Sequence, residues 1–578
     1  MTATTPPAVS MLAPARPRRP RAARVLLAAA CAAVFLWPVV MVAVGAFRTS
    51  LPGTPGGWTV TKLVDTYLSP VTYQVLAQTV FFAVSVTVVS TLLALFFAWV
   101  VARTDTPLRR LVTPMMGLVL AMPPLFFAIS WGMLGNQRVG LLNTVYQWLT
   151  GAGHGFFNVE SWFGLILVSS LKAASFSYFL LLGPFLTMDR SLEEASLTAG
   201  AGRARTFFRV QLPLLTPAIS GAAFLTMLAF LEAFDIPEII GIPAGIRVLP
   251  TQIYSHINAT YGGQYAEASS LAMCLMLIIL ALVAVRARLL GGREFTTVSG
   301  KSYRLERWKL GRARWLGTGG ILGYGLLALV LPLAQLYLGS LQSLFGRYDG
   351  FSLDNYAAVL DDAEITGAIR DTALLAVLGG LVTVVVCTGL AAVLRTRGGL
   401  AERLVTISVW MPMALPGIVL GLGIMWSFLS VPGLNQLYAT IWILLVGLFI
   451  GAVPVGMRAA EGALAQIPRD LEEAARIGGA SRVRAFAGVV VPLIVPSLLS
   501  GWLLVAIMIS GNLAIPVLLA SPTSQTVSVE VLKLYQSGEI SQAAAVFCVI
   551  STAMAAVGVV VGVVRAVLSR RTLLRGTG

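Results

Sequence analysis

The chain is written as long apolar stretches separated by short polar ones. A bilayer core about 30 Å thick needs roughly 20 apolar residues to be crossed by one helix. Stretches of that length with few or no charges fall at 25–47, 74–101, 111–134, 161–187, 212–235, 268–285, 315–341, 372–394, 404–429, 436–457, 489–513 and 540–564. These are spans one to twelve. Span one follows Arg16 to Arg24, as a secretory leader would, yet its apolar run is longer than a leader's core, so it reads as an anchor. The predicted fold class is an all-α polytopic membrane protein of about 12 transmembrane helices.

A search of the chain against itself finds an internal repeat. Residues 190–217 and 469–496 align without a gap at an offset of 279, with 14 identities in 28 positions. Weaker echoes lie upstream, Met122-Pro123 against Met411-Pro412 and Arg103-Thr104 against Arg395-Thr396. The chain therefore divides into two tandem six-helix repeats. We expect a basic tail at 1–24, read as disordered, and a first repeat at 25–290 with its core at 70–290. A basic linker follows at 291–314, then a second repeat at 315–568 with its core at 368–566, and a tail at 569–578.

The best-matched segment lies between the fourth and fifth spans of each repeat. Ser191-Leu192-Glu193-Glu194-Ala195 can start a short helix whose first-turn acids complement its dipole. Gly200 and Gly479 stand where such a helix would end in a left-handed cap. Pro213 and Pro217, matched by Pro492 and Pro496, mark entry into the next span. Each copy thus predicts a rigid helix–turn–helix knob. Charge bias would explain the arginines in these loops, but not identical Glu-Ala and Gly spacings in both.

Composition narrows the class. Of 578 residues 57% are hydrophobic and only 11% charged, less than half the roughly 25% of a soluble protein. A soluble multi-domain enzyme and a disordered chain are both excluded. The net charge of +16 could signal a nucleic-acid partner, but its distribution says otherwise. With twelve spans both termini share one side, and the loops there hold 33 of the 41 Lys and Arg residues. Opposite loops hold 7, and Lys172 lies inside span four. The positive-inside rule makes the basic side the cytoplasm, so the charge is topological and no nucleic acid is expected.

Cys31, Cys274, Cys387 and Cys548 lie in apolar runs with no metal-ligand spacing, and His154 and His256 have no spaced partner. No metal, cofactor or catalytic residue is expected. Ser299-Gly300-Lys301-Ser302 is not a phosphate loop, because Phe295 stands where that loop needs glycine.

Glu194-Ala195…Gly200-Ala201…Phe207…Pro213…Pro217, repeated as Glu473-Ala474…Gly479-Ala480…Phe486…Pro492…Pro496, resembles the EAA loop of ABC-importer permeases. The resemblance covers roughly 70–290 and 368–566. It implies a type I ABC importer permease fold in which two usually separate subunits are fused, seated in a bacterial inner membrane. In that family the loop helix enters a groove of a cytoplasmic ATPase subunit. The coupling contacts implied here are Glu194, Ala195, Gly200, Glu473, Ala474 and Gly479. The expected partners are an ATPase pair, which hydrolyses the ATP, and an extracytoplasmic substrate-binding protein. A twelve-span secondary transporter is the remote rival.

Charges inside a membrane are candidates for function by default. Lys172 lies about mid-depth in span four, Glu232 and Asp235 share a face near the end of span five, and Asn512 is a weaker candidate. They either line a translocation path or gate, or pack as an interior ion pair such as Lys172 with Glu232. The stretches Leu231-Glu232-Ala233-Phe234-Asp235-Ile236-Pro237 and Leu518-Leu519-Ala520-Ser521-Pro522 are similar to those of ferric-iron permeases. Thiamine, polyamine and aminoalkylphosphonate permeases are close relatives of that group. A bare lysine at mid-membrane would oppose a trivalent cation.

Overall fold

In the computed structural model the described residues are 21–189, 191–260, 262–290, 308–395, 399–554 and 556. Most of the expected N-terminal tail and linker, the end of span twelve and the C-terminal tail lie outside them. Among the described residues regular structure is helical, and β pairing is limited to four isolated bridges.

Among the described residues every predicted span is built on helix. Eight are unbroken and long enough to cross a bilayer, from Pro70–Arg103 to Val483–Ser510. Three more are bent pairs, and span twelve is described as Ile540–Met554. The bends rank by severity. Span one bends by 43° between Arg24–Phe35 and Trp37–Ala46. Span three breaks by 97° between Arg109–Ala121 and Pro124–Gly135, and span nine by 118° between Leu400–Ala414 and Gly417–Ser430.

A pair bent so sharply could cross the membrane or turn back within it. Two hydrogen bonds decide. Arg103, ending span two, donates from Nη2 to the Met188 carbonyl just after span four, at 3.1 Å. Span four crosses, so the broken span three must cross too, or these ends would lie on opposite faces. Arg395 makes the matching bond to Ile467 O at 3.1 Å across spans nine and ten. Met188 and Ile467 stand 279 apart, the offset of the repeat itself.

The breaks follow from proline chemistry. Proline has no N–H, so it cannot bond the carbonyl four residues back. Pro123 and Pro124 therefore strand the carbonyls of Val119 and Leu120. In the second repeat the break falls at Leu415-Pro416, one turn beyond Met411-Pro412, the pair that echoes Met122-Pro123. There a 3-10 turn, Met411–Ala414, closes on itself through Leu415 N to Pro412 O at 3.3 Å.

Packing interleaves the repeats. One core gathers the first repeat's Phe82, Trp131 and Tyr178 with Ile321 and Leu336 of span seven and Ala543 to Cys548 of span twelve. The other gathers Val409, Trp426 and Val453 with Ala28 to Val42 of span one and Leu271 to Ile279 of span six. Each repeat lends its first and last spans to its neighbour. Tight seams result: a Cβ on Gly45 of span one would lie 2.6 Å from Trp426 Nε1 in the second repeat.

Candidate functional site

Each knob begins where Arg103 or Arg395 pins the end of the preceding span. The first is the helix Ser191–Thr198, opened by Asp189 Oδ1 accepting the Ser191 N–H at 2.9 Å. The second is Arg469–Ile477, entered through Pro468. Both end in the same glycine cap. Gly200 N bonds Leu197 O at 3.0 Å and Ala201 N bonds Ser196 O at 3.0 Å. In the second copy Gly479 N bonds Arg476 O and Ala480 N bonds Ala475 O, each at 3.1 Å. These are Schellman closures, which need a residue at positive φ. Gly200 has φ +83° and Gly479 φ +89°.

The exposure pattern repeats as well. Glu194, Ala195 and Gly200 are exposed, as are Glu473, Ala474 and Gly479. A Cβ on either glycine would meet nothing within 4 Å. The glycines thus serve the turn and leave an open surface, with no internal neighbour to fit. Exposed apolar side chains flank the second knob, Ile477 at 88% and Val483 at 79%.

Beyond each knob the chain re-enters the bundle through a π turn, Phe207–Gln211 in one copy and Phe486–Val490 in the other. Pro213 and Pro492 each remove one ordinary helical bond, and the wider turn forms just before them.

Glu193 departs from the outward pattern. It is 3% exposed and its Oε1 lies 3.3 Å from Arg103 Nη1. The expected motif included Glu194 and not Glu193. Arg103 and Glu193 were legible only as repeated letters, because nothing local marks a residue 90 positions away as a partner.

At the membrane centre the structure gives Lys172 partners other than Glu232. Its Nζ donates to three backbone carbonyls, Val119 O, Leu120 O at 3.1 Å and Met122 O at 2.6 Å. Two of these are the carbonyls stranded by the Pro-Pro step. The lysine thus caps the broken half-helix, whose C-terminal end carries partial negative charge. Gly451 stands at the equivalent position in the second repeat, where Pro416 is followed by Gly417, which keeps its N–H. There Ile515 fills the space, its Cδ1 2.6 Å from where a Cβ on Gly451 would sit.

Glu232 closes span five, its N–H bonding Leu228 O at 3.3 Å. Gly511 closes span eleven in the same way on Ile507 O at 3.2 Å. Both Glu232 and Asp235 are partly exposed, and Asp235 Oδ1 is buried without a hydrogen-bond partner. Asn512 is committed locally, its Oδ1 accepting the Ile515 N–H at 3.1 Å. No hydrogen bond or ion pair joins these four residues to one another, although Lys172 and Asp235 lie near enough to interact electrostatically. Among the described residues no three His, Cys, Asp or Glu side chains group as metal ligands would.

Against known proteins, the family model described as binding-protein-dependent transport system inner membrane component matches twice, over residues 90–290 and 384–574. The chain belongs to that family. It is a multi-pass ABC importer permease with two permease domains in one polypeptide, a transport component and not an enzyme. Its relatives include a ferric transport system permease protein, FbpB, of Actinobacillus pleuropneumoniae, 26% identical over 84% of this chain and 70% of the relative. An Fe(3+)-transport system permease protein, FbpB 2, of Haemophilus influenzae is 23% identical over 82% of this chain and 86% of the relative. The molybdenum transport system permease protein ModB of Escherichia coli is 28% identical over 33% of this permease and 80% of its own length.

Proposed function

We propose that this permease imports iron(III), handed over by an extracytoplasmic binding protein and driven by a pair of cytoplasmic ATPase subunits. The chain lies in a bacterial inner membrane with both termini and both knobs on the cytoplasmic side, in accord with the basic loops there. Glu194, Ala195 and Gly200, with Glu473, Ala474 and Gly479, face the two ATPases. The ATPases clamp the paired knobs, and the interleaved bundle alternates between outward-open and inward-open.

The observation that carries the iron reading is the occupation of Lys172. An oxyanion crossing the membrane centre would want an available cationic donor. Lys172 is 8% exposed and spends its N–H groups on Val119, Leu120 and Met122. The carbonyls hold the ammonium in place without cancelling its charge, and so withdraw it as a donor to an anion. Glu232 and Asp235 are left as the partly exposed charges at the end of span five, with a sign suited to a cation. The long-range resemblance to ferric permeases supports the same choice.

The test is a ligand-dependent melting shift of the cognate binding protein across iron(III), molybdate, thiamine, polyamines and phosphonates. ATP-dependent uptake of the responding ligand by the reconstituted complex then follows. A shift with iron(III) and matching uptake are expected. A shift with another ligand and none with iron(III) overturns the assignment.

A further inference from the structure

The end of the linker does more than join the repeats. Trp308 N donates to Arg103 O at 2.9 Å, and Asp105 N donates back to Trp308 O at 3.2 Å, a short parallel bridge. Leu310 N donates to Asp105 Oδ1 at 2.9 Å. Arg203, just past the Gly200 cap, donates from Nη1 to Lys309 O at 2.5 Å. Trp308 and Lys309 thus hold the two arginines that bracket the first knob, and Leu310 holds Asp105 beside them. Arg103 grips the knob's entry through Met188 O and Glu193, and Arg203 leaves its exit.

The indole adds a second layer. Trp99 stands edge-on to both Trp308 and Phe207, with ring centroids 6.5 Å and 6.0 Å apart. Phe207 begins the π turn through which the knob joins span five. Aromatic pairs of this geometry favour fixed relative orientation. The strap therefore touches the end of span two and Arg203 at the knob's exit, and reaches the root of span five through Trp99.

We propose that Trp308, Lys309 and Leu310 form a positioning strap for the first coupling site, setting the angle at which that knob meets its ATPase. Trp308 is the positioning residue, acting through Arg103 and, by way of Trp99, through Phe207. This rests on the reading of the knobs as ATPase docking elements. It makes the two coupling sites unequal, because the strap reaches the knob of the first repeat from the start of the second.

The experiment captures the ATPase on full-length permease in detergent, with one knob disabled at a time. Gly479→Ile disables the second, so that binding reports on the first. In that background Trp308→Ala is expected to weaken capture about tenfold, equivalent to roughly 1.4 kcal/mol. Trp308→Phe, which keeps an aromatic face, is expected to restore most of it. In the Gly200→Ile background, where binding reports on the second knob, Trp308→Ala is expected to change nothing. Equal losses in both backgrounds would mean general destabilisation and overturn the strap. No loss in the Gly479→Ile background overturns it as well. If the double glycine variant still captures ATPase at the wild-type level, the docking reading has failed and the strap falls with it.

Discussion

Arg103 and Glu193 meet at 3.3 Å with side chains 1% and 4% exposed, tying the end of span two to the first knob. Removing one partner of a buried pair strands the other charge and costs about 3–5 kcal/mol, whereas replacing both with apolar residues is often nearly neutral. Arg103→Met should therefore lower the thermal unfolding midpoint markedly. Arg103→Met with Glu193→Leu should recover much of that loss while leaving the knob less firmly held. Thermal unfolding in detergent, paired with transport per ATP hydrolysed, checks both halves. A double variant as unstable as the single one would refute the pairing argument.

Lys172 offers a cleaner separation of structure from transport. If its work is to cap the half-helix at Met122, Lys172→Met orphans buried carbonyls at about 1–3 kcal/mol each. Stability should fall first, and residual transport should keep its substrate preference. Gly417→Pro should destabilise the second repeat, because a Cβ at that position would stand 2.9 Å from Ala514 Cβ. A Lys172→Met protein that melts normally but changes cargo would place the lysine in the path instead.

These two residues also show where sequence reading stops. The spans were legible because burial in lipid demands long apolar runs, and the knobs because a left-handed cap demands glycine at one place in each copy. The partner of Lys172 was not legible, since backbone carbonyls carry no letter; the signal was the Pro123-Pro124 step itself, which announces stranded acceptors. The second break was not legible, because Met411-Pro412 repeats the letters of Met122-Pro123 while Pro416, one turn on, performs the break. The exchange of outer spans between cores was invisible, because a lipid-facing and a neighbour-facing apolar helix read alike.

Where the repeats meet at mid-bundle, Gly511 lies against the first break. A Cβ there would stand 3.1 Å from Pro123 Cβ, tighter than ordinary contact. Gly511→Ala should be tolerated with a small loss, and Gly511→Val should wedge span eleven from Pro123 at about 1–3 kcal/mol of overpacking. Import should fall much more than ATPase capture, because the knobs are remote from this seam. Import by Gly511→Val at the wild-type rate would show that the close approach is dispensable.

Glu530 gives a pH dependence with a defined sign. It lies on the helix Val527–Gln536, 4% exposed, with Lys533 Nζ 3.6 Å away and shared with Glu364. Burial raises its carboxyl above the ordinary range, and Lys533 only partly opposes this. The folded state then holds a proton that the unfolded chain releases near pH 4.3, so stability falls as pH rises from about that value through the raised native one. Glu530→Gln removes this fall. Melting midpoints taken at about pH 5 and about pH 8 should diverge less in the variant than in the wild type. Equal divergence would assign the dependence to other carboxyls.

The two glycine caps allow the coupling surface to be separated from the cap's own conformation. Gly200 and Gly479 both sit at positive φ, and around each the space that a side chain would enter is open. Asparagine tolerates the left-handed region far better than a β-branched residue does. Gly→Asn at both positions should therefore leave the knobs folded at a cost of about 1 kcal/mol or less, whereas Gly→Ile strains the turn itself. If the glycines serve only the turn, the asparagine pair should import normally. If an ATPase groove closes over the bare glycine face, the asparagine pair should lose coupling although each knob keeps its Schellman bonds. We expect the second result, read as ATP hydrolysis that no longer drives import. Normal import by the asparagine pair, with failure confined to the isoleucine pair, would restrict the glycines to a conformational role and move the docking face elsewhere on the knobs.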